Sequence, residues 1–299
     1  MNKNARQPEE LLSPLPFRQN WLEFLLYNGL CPESFRRFRS IIFHYYLGHR
    51  REFPWREEIS PYRVFISEVM LQQTQTSRVM PKFDQFIIKF PDFETLAQAD
   101  FSEVLRSWKG LGYNRRARYL QEAAEIVADR FAGKLPDDPD LLITLPGIGP
   151  ATAASICTFA FNRPLAFIET NIRTVYLHFF FREEEDVDDR QIMTLVRATV
   201  DKERPREWYY ALMDYGVMLK KTIGNLNTRS KHYSKQSRFE GSDRQIRGKI
   251  LQLLLDNNTL MIESAADLLG ESPERIERIV LSLCNDNLVL KEKNKLTLR

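Results

Sequence analysis

Two glutamates in unlike settings are the residues best suited to acid–base work. Glu68 lies in Ile66-Ser67-Glu68-Val69-Met70-Leu71, among strongly apolar neighbours. A carboxyl on a mostly buried helix has its neutral form favoured by desolvation, so it can donate a proton near neutral pH. Glu169 stands in Phe167-Ile168-Glu169-Thr170-Asn171, ahead of a helix. A carboxylate there either answers the helix dipole or stabilises, or attacks, a positive sugar carbon; Asn171 reads equally well as a simple cap. Glycosidic cleavage typically takes such a pair, one group as acid and the other as base or nucleophile. Glu68, Gln72 and Gln75 fall at i, i+4 and i+7 of a helix expected from about Tyr62 to Thr76. A Glu/Gln stripe is ordinarily a solvated face, but the residues around this one argue for burial.

Leu145-Pro146-Gly147-Ile148-Gly149 supplies a different device. It reads as a short helix, a glycine turn and a second helix. Gly147 and Gly149 allow positive φ and close approach of another backbone. Amides at such a turn, opening a helix, suit one phosphate of a nucleic acid. The plain alternative is a tight αα-turn used only for packing.

The elements that must position these residues are nearly all helical up to residue 220. Ser34–Tyr46 is expected as a helix, interrupted by Phe53-Pro54-Trp55-Arg56. Asp100 with Glu103 resembles a capping box and opens a helix stopped by Gly110-Leu111-Gly112. Ala117, Leu120, Ala124 and Val127 form one stripe of a helix over Tyr113–Phe131. Further helices are expected near Asn171–Phe180, Asp189–Asp201 and Arg206–Leu219. Thr222–Gly241 is basic, polar and aperiodic, and reads as a linker or an extended DNA-contacting segment. Beyond it, Ser242 caps a helix, two more helices follow, and Leu288–Leu298 fits a β-hairpin. Three short helices and a hairpin suggest a winged helix, with docking or dimerisation as its plain role. Its candidate recognition helix carries Arg275 and Arg278 but also Glu274 and Glu277. The fold class is therefore mainly α, divided into an N-terminal extension (1–35), a helical domain (36–220), a basic linker (221–241) and the winged-helix-like domain (242–299).

Composition narrows the function classes. The chain has 299 residues and a net charge of only +3, weak evidence for nucleic acid by itself. The charge is segregated: Lys220, Lys221, Arg229, Lys231, Lys235, Arg238, Arg244, Arg247 and Lys249 stand against Glu240 and Asp243, while Arg182–Asp189 is acidic. Cys31, Cys157 and Cys284 are too few and too scattered for a zinc or iron–sulfur motif, or for a disulfide framework. No apolar run spans a bilayer, and residues 1–10 have no signal-peptide core. The expectation is a cytoplasmic monomer, nucleoid-associated if bacterial, with no membrane partner.

Phe53-Pro54-Trp55-Arg56, Pro61-Tyr62-Arg63, Ser67 through Gln75, Gly110-Leu111-Gly112-Tyr113, Leu145 through Gly149 and Asn171 together resemble the helix–hairpin–helix DNA glycosylases, and most closely their MutY-type adenine branch. The resemblance covers about residues 36–220. It implies a two-lobed all-α fold with its active site in the cleft between lobes, and double-stranded DNA containing a mismatch or lesion as partner. Position by position, Glu68 matches the family's general acid. Gln72 and Gln73 match residues near the helix that probes the base stack, and Tyr113 a residue of the lesion-reading loop. Gly147 and Gly149 match the phosphate anchor, which in the superfamily can also hold a monovalent cation, and Asn171 matches an active-site Asn. Arg63, Arg115, Arg173 and Lys231 are candidates for phosphate contacts.

Four departures accompany the resemblance. The family's catalytic Asp falls on Glu169, one methylene longer; a misplacement near 1 Å lowers a rate by about 100-fold. Ala151 occupies the position of the Lys that bifunctional members use, so no Schiff base forms there and little strand cleavage is expected. Met213-Asp214-Tyr215-Gly216 matches the lead-in to the family's four cluster cysteines, yet no Cys lies between Cys157 and Cys284. The expected protein is clusterless and without cofactor, with the basic stretch Lys220–Arg238 replacing the cluster's DNA-contacting loop. The winged-helix-like unit stands where the family usually carries a β-rich domain that reads 8-oxoguanine. The implied reaction is monofunctional hydrolysis of a flipped base, adenine opposite guanine or 8-oxoguanine. A glycosylase for an alkylated, deaminated or oxidised base, or a non-catalytic DNA-binding protein, are the alternatives.

Overall fold

The computed structural model describes residue 21 and residues 23–299 except 182–183 and 236–237. The N-terminal extension thus lies largely outside the described residues, as does the start of the acidic run at Arg182. In chain order the helices are α1 (Pro32–His49), α2 (Pro54–Glu57), α3 (Pro61–Leu71), α4 (Thr76–Lys89), α5 (Phe93–Gln98), α6 (Phe101–Trp108), α7 (Arg115–Phe131), α8 (Pro139–Leu142), α9 (Pro150–Phe161), α10 (Thr170–Phe180), α11 (Asp189–Thr199) and α12 (Pro205–Ile223). A 3-10 turn, Leu226–Arg229, precedes α13 (Asp243–Asn257), β1 (Thr259–Met261), α14 (Ile262–Leu269), α15 (Pro273–Asn285), β2 (Val289–Glu292) and β3 (Lys295–Leu298). No described helix is long and apolar enough to cross a membrane.

These elements form two compact units, one from Met1–Glu52 with Ala154–Lys235, the other from Phe53–Ala153 with Gln236–Arg299. The first is built on an aromatic core. Phe38 of α1 packs edge-on against Tyr176, Phe179 and Phe180 of α10 and Trp208 of α12. Burying rings of this size dominates the energetics of such a core. Asp214 of α12 is buried and accepts from the Arg51 backbone N–H at 2.9 Å and its Nε at 2.8 Å. In the second unit Trp55 packs edge-on against Phe83, and Tyr62 and Phe65 against Phe93.

The C-terminal part of the second unit is a winged helix with one strand more than the sequence pattern suggests. β1 joins the hairpin, giving a three-stranded antiparallel sheet in the order β1-β3-β2. Three residues with one buried side chain, Leu260, carry too little alternation to be read as a strand.

The segment read as a linker begins as folded structure. Asn227 is buried and donates from Nδ2 to the Thr174 hydroxyl at 2.7 Å. Val187 bridges Ser230 through the backbone, and Arg229 lies 3.8 Å from Glu185 and His232 3.6 Å from Asp188. The acidic and basic runs that the sequence separates therefore meet within one unit.

Candidate active site

Glu68 is carried on α3, whose start is set by Ser60: its hydroxyl accepts from the Arg63 N–H at 3.2 Å, and Pro61 follows in the first turn. Tyr62, Val64, Phe65, Ile66, Ser67, Val69 and Met70 are all buried, while Glu68 keeps partial exposure. The helix stops earlier than the stripe Glu68, Gln72, Gln75 requires. It ends at Leu71, Gln73 takes a left-handed φ of 52°, and Gln75 stands outside the next helix as its cap residue. One helical face therefore does not hold all three.

Arg116 explains where α3 stops. It lies in the core at 9% exposure. Its Nη1 donates to the carbonyls of Val69 at 2.8 Å and Met70 at 2.9 Å, acceptors left over at the helix end. Its Nη2 donates to the Thr74 hydroxyl at 2.9 Å and to the carbonyls of Leu111 at 3.3 Å and Gly112 at 3.0 Å. Burial lowers its pKa to about 10, so it stays a cation at neutral pH. One guanidinium thus joins the end of the Glu68 helix to the loop that carries Tyr113. Sequence reasoning missed it. The available signal was that Arg116 precedes Leu120 by one helical turn, on the buried stripe of α7.

The same unit places the glycine hairpin. Asp138 caps α8 by accepting from the Asp140 N–H at 2.9 Å. Leu142, Leu145 and Ile148 are buried, while Gly147, Gly149, Pro150 and Ala151 face solvent. Gly147 has φ +76°, and a Cβ there would stand 2.9 Å from Cδ2 of Tyr119. Gly149 is not left-handed and a Cβ there would meet open space; its small size matters only to something arriving from outside. The Gln72 amide donates to the Gly147 carbonyl at 3.1 Å and the Thr152 hydroxyl at 3.3 Å, tying α3 to the hairpin. Gln72, Tyr113 and Gly147 thus belong to one bonded framework with the helix that carries Glu68.

In the other unit Glu169 is itself the cap of α10. One carboxylate oxygen accepts from the backbone N–H of Asn171 at 3.0 Å and of Ile172 at 3.2 Å, and the Asn171 side-chain amide donates to the other at 3.4 Å. Asn171 is therefore not the cap; it lies inside the first turn. Burial raises the Glu169 carboxyl above its ordinary value, against the amide hydrogen bonds and the Arg173 charge that lower it. Gly216 of α12 lets the chain approach this turn: a Cβ there would stand 2.3 Å from the Asn171 carbonyl oxygen.

Two of the expected phosphate contacts also brace the fold. Arg63 donates to the carbonyls of Glu58 at 3.0 Å and Pro54 at 3.3 Å and stacks over Phe83. Arg173 makes a bidentate pair with Asp189 at 2.8 and 2.6 Å. Internal acceptors already hold both guanidinium groups. Lys231 is 65% exposed, with Asp188 at 3.9 Å, and Arg115 is 55% exposed, with Asp286 at 3.3 Å. No group of metal-ligating side chains occurs among the described residues.

Residues 66–201 match the family described as the HhH-GPD superfamily base excision DNA repair protein. Adenine DNA glycosylase of Mycolicibacterium smegmatis is 32% identical over 258 residues, covering 80% of this chain and 88% of that protein. The chain belongs to the HhH-GPD DNA glycosylases, in their MutY-type branch. Thymine/uracil-DNA glycosylase of Methanothermobacter thermautotrophicus is 29% identical over 185 residues, covering 61% of this chain and 84% of that one. A solved thermostable thymine-DNA glycosylase superposes with a TM-score of 0.57 at 25% identity, over 65% of this chain and 91% of the other. As an HhH-GPD glycosylase the chain is a DNA N-glycosylase of base excision repair, and DNA is its partner.

Proposed function

We propose that this chain hydrolyses the N-glycosidic bond of an adenine flipped out of duplex DNA, the adenine being mispaired with guanine or 8-oxoguanine. The 32% identity, over 80% of this chain, to a protein named adenine DNA glycosylase carries the reading. Glu68 protonates the departing base. Glu169 stabilises the positive sugar or attacks it, and water completes the hydrolysis. The shared amide bonds of Glu169 and Asn171 at the start of α10 support a fixed carboxylate in that role. The solvent-facing Gly147–Ala151 turn suits a DNA phosphate. Lys231 and Arg115 add charge at the surface.

Ala151 supplies no amine, so the product is an abasic site rather than a broken strand. The reaction needs no cluster. A monovalent cation at the hairpin would share the Gly147 carbonyl with the Gln72 amide. A second reading, removal of a mispaired thymine or uracil, is favoured by the thymine/uracil-DNA glycosylase relative.

The test is a set of labelled duplexes carrying A·G, A·8-oxoG, A·C, G·T and G·U pairs, scored for abasic sites with and without alkali. Adenine release confined to the first two pairs is expected. Release from G·T or G·U alone favours the second reading, no release from any duplex favours a DNA-binding protein, and strand breaks without alkali overturn the reading of Ala151.

A further inference from the structure

The winged helix meets the rest of its unit at the loop between α6 and α7. That loop is bent by three left-handed residues, Gly110 at 95°, Gly112 at 76° and Tyr113 at 48°. A tyrosine in this region is uncommon and persists only where its surroundings hold it. From beneath, Arg116 and Trp108 donate to the Gly112 carbonyl and Arg78 to that of Gly110. From the C-terminal side, Arg244 of α13 donates to the Tyr113 hydroxyl at 3.0 Å and lies 5.9 Å from the ring centroid. Asp286 holds Arg115 at 3.3 Å through one oxygen and Arg247 through the other. Arg106 of α6 donates to the Leu255 carbonyl of α13.

The same module offers little of a basic recognition surface on its third helix. Arg275 is taken up by Asp243 at 2.8 Å and Glu271 at 2.7 Å, and Arg278 by Asp243 at 3.2 Å. Glu274 and Glu277 face solvent. A helix with that face is poorly suited to the phosphates that flank a major groove.

We propose that the winged helix acts through the loop: Arg244 is a positioning residue that presets Tyr113, and the pair sets which base is accepted opposite the target. The inference rests on the adenine-glycosylase reading, in which Tyr113 probes the lesion. Holding the ring before DNA arrives removes an ordering cost from the bound state, and the benefit falls on those duplexes whose opposite base fits the preset ring.

The test uses the full chain and the variants R244A, Y113F and R244A/Y113F. Single-turnover base release is compared between the preferred pair and A·C. Each single variant is expected to lower that preference about tenfold, the order of one charge-assisted hydrogen bond, and the double variant to lower it no further. Additive losses, or a preference equal to that of wild type in R244A, overturn the proposal. Amide hydrogen exchange over residues 110–115, measured without DNA, reads the clamp separately. Faster exchange in R244A and Y113F, with the melting temperature kept, supports it; exchange equal to that of wild type overturns it. A wild type that releases no base refutes the adenine reading, while the exchange result still decides whether the clamp exists.

Discussion

Around Glu68 it is the backbone that is seen to be held; around Glu169 the carboxylate itself is bonded to two backbone amides at the start of α10. In the first case rigidity comes from outside the residue, through Arg116 on the helix end and Gln72 on the hairpin. In the second the residue supplies its own anchoring as a helix cap. The difference suits two unlike tasks. A proton donor needs a side chain that exchanges protons at a fixed place. A group facing a sugar cation needs negative charge at a fixed place, and amide donors favour the charged form.

The largest effect expected on this comparison is that of Glu68→Gln. Removing a general acid is expected to slow single-turnover base release by about 10²–10⁴-fold, with binding of product duplex retained; equal rates for variant and wild type would break the assignment. Next is Arg116→Ala. It leaves the carbonyls of Val69 and Met70 without this donor in a buried place, which costs about 3 kcal/mol. A melting curve that does not move would show that the guanidinium is not the frame of the Glu68 side.

Glu169→Gln sharpens the other side, because the amide oxygen still accepts the cap bonds while the charge is lost. Base release is expected to fall by about 10²-fold. Burial raises the folded-state pKa of this carboxyl above its ordinary value. Its contribution to wild-type stability is therefore complete below the unfolded value and is lost as pH rises through the folded one. The melting temperature of the variant should thus gain on that of wild type as pH climbs. If the charged form is the active one, the acid limb of the wild-type rate profile lies above the usual carboxylate range. A constant difference in melting temperature from pH 4 to pH 8 would remove the argument from burial.

The smallest effects distinguish the two hairpin glycines. Gly147→Ala forces a left-handed Cβ onto Tyr119 and is expected to cost about 1–2 kcal/mol of stability. Gly149→Ala should leave the stability within about 0.5 kcal/mol of wild type yet weaken binding to abasic-site duplex. Unchanged affinity in Gly149→Ala would deny the turn its phosphate.

The helices of this protein, the hairpin turn and the winged helix were legible from the chain itself, because apolar spacing, caps and glycines act over a few residues. Glu68 and Glu169 could be singled out as candidates in the same way, since residue type and the motif around each are local properties. Only tertiary structure decided where α3 ends, because the donor to its last carbonyls comes from Arg116, in another helix. It likewise decided that Arg63 and Arg173 brace the fold, that Asn227 is buried, and that the winged helix grips Tyr113. Apart from Arg63, whose acceptors Glu58 and Pro54 lie close in sequence, each of these depends on which partner arrives from further along the chain, and hydrogen bonds between distant residues leave no periodicity to read.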